Sequence, residues 1–141
     1  MHVAEVGSPI EFRAGTNIAV KVPAGLHEAT VAFYRDTVGL AHLGSDGTSE
    51  VFGFGGCRLW LDRVEHATHA EVWLELTTDD VDAGAEELRR SGARVADELE
   101  PLGDVQGHWI VDPGGTVLLL SRTGDDAGVG MAPPGAGRAG A

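Results

Sequence analysis

The sequence predicts an α+β protein made of two βαβββ units in tandem. Three observations carry this. Gly55-Gly56-Cys57-Arg58-Leu59-Trp60-Leu61-Asp62-Arg63 and Gly114-Gly115-Thr116-Val117-Leu118-Leu119-Leu120-Ser121-Arg122 share the pattern Gly-Gly-x-x-Leu-x-Leu-x-Arg. Each is a short apolar run entered through a glycine turn, the mark of a buried strand. The stretches Thr16 to Val22 and Glu71 to Thr77 both alternate apolar with polar residues, and each leads into a helical pattern. Function in a duplicated sheet protein is expected between the copies.

Taken in order, Ile18, Val20 and Val22 form one face of the first strand, with Asn17, Ala19 and Lys21 on the other. Pro23-Ala24-Gly25 ends it. Residues His27 to Val38 read as a helix with Val31, Tyr34 and Val38 on one stripe beside Phe33, closed by Gly39. A short strand over Ala41 to Gly44 and strands over Glu50 to Phe54 and Cys57 to Asp62 complete the first unit. Residues 63–70 form a polar connector holding His66 and His69.

The second unit repeats the order about 54 residues later. Val72, Leu74 and Leu76 alternate with Glu71, Trp73 and Glu75. Asp79 or Asp80 can cap the next helix, whose buried stripe is Val81, Ala85 and Leu88 and which Gly92 stops. Glu86 and Arg90 are spaced as an i,i+4 pair. Strands are expected over Ala93 to Glu98, Gly107 to Val111 and Thr116 to Ser121. The units therefore divide as an arm over 1–15, modules over 16–64 and 65–122, and a tail over 123–141. The arm could add an edge strand or remain loose. The tail is dominated by Gly, Ala and Pro and is expected to be disordered.

The 141 residues are 43% hydrophobic, enough for a packed core. A formal charge of −12 argues against nucleic acid as a partner, because phosphates would be repelled. An acidic body either serves solubility or attracts a cationic ligand. The single Cys57 cannot form an internal disulfide and reads as a small core residue. Residues 1–13 carry Glu5 and Glu11 and no apolar core, and no run is long and apolar enough to span a membrane. No membrane association and a cytoplasmic location are therefore expected.

By alternation, one face of the sheet collects Asn17, Lys21, Arg58, Trp60, Asp62, Glu71, Trp73, Glu75, Leu119 and Ser121, with His108 or Trp109 joining from a neighbouring strand. Two indoles and mixed charges suit a flat or aromatic ligand. Glu71 and Glu75 could hold a cation, and Lys21 and Arg58 an anion. The competing reading is that Trp60 and Trp73 pack on each other, the charges cancel, and the space is filled. His66-x-x-His69 could bind a metal only if that connector were helical. His108 could act as a general base. His27 and His42 read as surface residues.

The segments Asn17-Ile18-Ala19-Val20-Lys21-Val22-Pro23, Phe33-Tyr34-Arg35-Asp36-Thr37-Val38-Gly39-Leu40, Asp79-Asp80-Val81-Asp82-Ala83 and Asp112-Pro113-Gly114-Gly115 resemble, in this order, those of the vicinal oxygen chelate superfamily. That superfamily includes glyoxalase I, bleomycin resistance proteins and extradiol dioxygenases. The resemblance implies a curved mixed sheet around a cleft, one helix per module on the outside, and often a homodimer. Family enzymes hold a divalent metal through His and Glu residues on the first and last strands of each module. Carried over, those positions are Asn17, Trp60, Glu71 or Trp73, and Leu119. Indole and isobutyl groups are not ligands, so no metal and no other cofactor is expected.

The function this points to is metal-free sequestration of a small molecule, with Asn17, Lys21, Arg58, Trp60, Glu71, Trp73, Glu75, His108 and Leu119 as ligand-binding candidates. The alternative is an enzyme using relocated metal ligands, or acid–base chemistry at Glu71, Glu75 or His108. A third possibility is a dimeric module with a closed cup.

Overall fold

A computed structural model describes residues 9–124. Its strands are β1 (Arg13–Ala14), β2 (Asn17–Pro23), β3 (His42–Asp46), β4 (Ser49–Phe54), β5 (Cys57–Val64), β6 (Glu71–Thr78), β7 (Arg94–Val95), β8 (Gly107–Val111) and β9 (Val117–Arg122). The helices are α1 (Ala24–Ala32), continued by a π-helical segment (Phe33–Val38), and α2 (Val81–Arg90). One curved, open sheet runs β3-β4-β5-β2-β6-β9-β8-β7, with β1 also paired to β6.

The two halves of that order are the same motif. In each, the first strand lies parallel to the last: Asn17 faces Arg58 and Ala19 faces Trp60 in one, Leu74 faces Leu118 and Glu75 faces Leu119 in the other. The halves join where β2 and β6 run antiparallel, Ala19 opposite Trp73 and Lys21 opposite Glu71. Both helices cover the same side of the sheet. Val31 of α1 packs with Val22, Phe52, Leu59 and Leu61. Ala85 of α2 packs with Ile110 and Leu120, with Leu76 and Leu88 at the margin.

Alternation assigned the strand faces correctly, and the differences lie elsewhere. The expected helical stripe ends early: Val38 is exposed and Leu40 packs in its stead. The π-helical segment closes with a bond that reaches one residue further than an α-helical one, Gly39 N–H to Tyr34 O at 3.0 Å, and that shifts the stripe out of phase. The cap of α2 is Asp80, whose Oδ1 accepts from the Ala83 N–H at 3.1 Å. The strand expected over Ala93 to Glu98 shrinks to Arg94–Val95, because Asp97 turns its side chain onto the Trp109 N–H at 2.9 Å. Arg90 reaches Glu86 at 3.8 Å, while Arg89 holds it more closely, at 3.0 Å. His27 is half-buried rather than a surface residue, and its Nε2–H donates to Leu61 O at 2.9 Å, tying α1 to β5. The arm does pair, Arg13 with Thr77 and Ala14 with Leu76. The tail expectation lies, beyond Gly124, outside the described residues.

Candidate functional site

The helix-free face of the sheet is built around Glu75, which is only 8% exposed. β1 and β2 are nearly collinear along β6 but break at Gly15 and Thr16, and the Glu75 carboxylate fills the break. Its Oε1 accepts from the backbone N–H groups of Thr16 at 3.0 Å and Asn17 at 3.1 Å, and from the Asn17 amide at 3.1 Å. Ser121 Oγ donates to Oε2 at 3.2 Å. The Asn17 Oδ1 in turn accepts from Trp60 Nε1–H at 2.8 Å. A buried carboxylate is tolerated where hydrogen bonds replace its lost water. One buried network thus ties β2, β5, β6 and β9 together.

The register also settles which residue of β6 corresponds to Asn17. Asn17 sits two residues before Ala19, which faces Trp60; Trp73 sits two residues before Glu75, which faces Leu119. By this register the positions that the family resemblance implies for metal ligands correspond to Asn17, Trp60, Trp73 and Leu119, and Glu71 lies outside them. They do not fit a divalent ion. Two are indoles, one is an alkyl group, and the amide oxygen already accepts a hydrogen bond. Among the described residues, no group of three or more His, Cys, Asp or Glu could hold a metal.

Beside this network the second module's half of the face is filled. Trp73 meets Trp109 edge-on at 5.0 Å between ring centres. Val117 and Leu119 complete the cluster, with Leu102 and Val105 from the 96–106 loop packed against it. Trp109 Nε1–H donates to Glu100 O at 2.9 Å, which fixes that loop. Trp73 therefore packs edge-on against Trp109 rather than against Trp60, and Trp60 serves the Asn17 network.

Open space remains at one end of the face, where a cavity of about 410 Å³ is lined by Lys21, Val64, His66, Ala67, Thr68, His69, Glu71, Trp73, Leu99 and Glu100. That is ample for a small ligand. The Lys21 ammonium lies 4.1 Å from the centre of the Trp73 ring, 2.8 Å from Asp62 Oδ2 and 2.7 Å from Glu100 Oε2. Trp73 Nε1–H donates to Glu71 at 2.9 Å, and Glu71 itself is exposed.

Of the residues the sequence singles out, Lys21, Glu71 and Trp73 line this cavity. Asn17, Trp60, Glu75 and Leu119 are committed to the interior. Arg58, half-buried, faces Asn17 across β2 and β5. His108 points the other way, to the helix side, and Trp109 is the β8 residue that joins the face. There His108 Nδ1 lies 2.8 Å from Asp97 and Nε2 2.7 Å from Asp82. Burial lowers its pKa, but the bonds to Asp82 and Asp97 and their charges outweigh this, and the net shift is upward. Leu99 and Glu100 carry no sequence signal, since residues 99–106 have no periodicity. His66 and His69 are visible in the sequence, but their place on the cavity wall is not.

A family model described as a glyoxalase-like domain matches residues 18–121. No curated protein sequence matches significantly. Among solved structures, the Mn(II)-bound glyoxalase from Novosphingobium aromaticivorans is 23% identical, with a TM-score of 0.61 over 81% of this chain and 40% of its own. A glyoxalase/bleomycin resistance protein/dioxygenase superfamily member from Vibrio splendidus is 10% identical, with a TM-score of 0.55 over 81% of this chain and 99% of its own. A variant of homoprotocatechuate 2,3-dioxygenase from B. fuscum is 17% identical, with a TM-score of 0.58 over 83% of this chain and 34% of its own. The chain thus spans well under half of the glyoxalase and of the dioxygenase, and the likeness is one of fold.

Proposed function

The chain belongs to the glyoxalase-like domain family, and from that premise we propose that it binds a small flat or aromatic molecule without using a metal at the family's usual position. The observation that carries the reading is the content of the four coordination positions, Asn17, Trp60, Trp73 and Leu119. They offer no ligand set, and a hydrogen-bonded network occupies their centre. Sequestration requires affinity alone, so losing the metal removes nothing it needs. The binding place is the cavity beside Trp73 and Lys21, where an indole supplies apolar area and carboxylates supply polar contacts.

The test is calorimetric titration of the protein with a panel of aromatic and cationic antibiotics. Binding at micromolar concentration is expected for at least one, with Trp73→Ala losing it and Trp60→Ala, a residue outside the cavity, reducing stability instead. A panel with no binder at that level refutes the reading. The juxtaposition of His66, His69 and Glu71 on the wall favours one other reading, a metal-free enzyme moving a proton on a bound molecule. Turnover of a bound ligand, abolished by Glu71→Gln with binding retained, would establish it.

A further inference from the structure

We propose that the ligand of this cavity is an organic cation, and that Lys21 is its tethered competitor. The inference rests on the binding role given above and adds the sign of the ligand's charge. The Lys21 ammonium occupies a complete cation seat: the face of Trp73 below it, Asp62 and Glu100 beside it. Lys21 is 7% exposed. An ammonium tolerates such burial only where paired charges and a π-face replace its water. The seat is thus already selective for positive charge.

The surroundings are over-supplied with carboxylate. One ammonium faces both Asp62 and Glu100, and Glu71 stands at the rim against the Trp73 N–H. With Lys21 seated, an incoming anion meets surplus negative charge, whereas an incoming cation meets Glu71 and the more accessible of the Lys21 partners. That partner is Glu100, 40% exposed against 17% for Asp62. Lysine is a point charge on a flexible stem. It can release Glu100 and the indole face to a cationic ring and retain Asp62, which Ser49 Oγ–H also holds at 2.6 Å.

If Lys21 were instead the recognition group for an anion, the same substitution would act with the opposite sign. The probes are N-benzylpyridinium, phenylacetate and benzyl alcohol, followed by the NMR shift of the Trp73 indole N–H. In the unaltered protein N-benzylpyridinium should move this resonance most. Lys21→Met, which keeps the stem and removes the charge, should bind it about tenfold more tightly, the scale of one partly desolvated cation–π contact. Glu71→Gln, at an exposed position, should weaken the cation and not phenylacetate, and it tests the charge preference even if Lys21→Met does not fold. Preferential binding of phenylacetate, lost in Lys21→Met, overturns the inference and leaves the binding role standing. Unchanged or weaker cation binding in a folded Lys21→Met protein overturns the competition. If no probe moves the resonance in any of the proteins, the cavity is not a binding site, and both readings fall.

Discussion

His108 has both ring nitrogens against carboxylates, Asp97 and Asp82, so the arrangement is complete only when both nitrogens carry protons. Asp79, Asp80 and Arg122 border the same recess. The folded-state pKa is raised above the unfolded value of about 6.5. The stability this clamp contributes is therefore fully present below about pH 6.5 and is lost as pH rises through the folded value. The difference in Tm between the unaltered protein and His108→Gln should be largest on the acid side and shrink as the pH is raised, as thermal melts across that range would record. Glu75 acts at the same scale but in the interior. Glu75→Leu leaves the N–H groups of Thr16 and Asn17 without an acceptor and should cost about 4 kcal/mol; Glu75→Gln, which keeps one oxygen, should cost about half that. Urea unfolding measures both.

At the scale of elements, the break between β1 and β2 depends on Gly15, whose backbone lies so close to the Glu75 carboxylate that a Cβ would overlap it. Gly15→Ala should destabilise by about 3 kcal/mol, and by much less in a Glu75→Ala background, a coupling that a double-mutant cycle isolates. None of this is visible in the sequence, because the break is defined by residues some 58 positions apart. Strands whose information is local were legible: Ile18, Val20 and Val22 alternate with Asn17, Ala19 and Lys21, and their faces came out as expected. The π-helical segment was not, since Val31, Tyr34 and Val38 fit an α-helical stripe and nothing in Phe33 to Val38 announces a longer-reaching hydrogen bond. Nor was the 96–106 loop, whose place is set by Glu100 reaching Lys21 across 79 positions.

Over the whole molecule the duplication was the most legible feature, because the two Gly-Gly-x-x-Leu-x-Leu-x-Arg stretches become β5 and β9, each parallel to the first strand of its own half. That symmetry brings Asn17, Trp60, Trp73 and Leu119 to equivalent places. Choosing Trp73 over Glu71 required the pairing of Glu75 with Leu119, a non-local fact. The consequence is a prediction about the protein as a thermodynamic unit. Anything that binds the folded state alone raises Tm, by the equivalent of about 2.7 kcal/mol at a hundredfold excess over Kd. Manganese, iron or zinc added to the purified protein should leave Tm unchanged, as should a chelator, because Trp60, Trp73 and Leu119 supply no ligand atoms and the Asn17 amide oxygen already accepts from Trp60. Saturation with a ligand that fills the cavity beside Trp73 should raise it. A stoichiometric divalent ion found by elemental analysis of protein purified without chelator, with a fall in Tm on its removal, would overturn the metal-free reading of this protein.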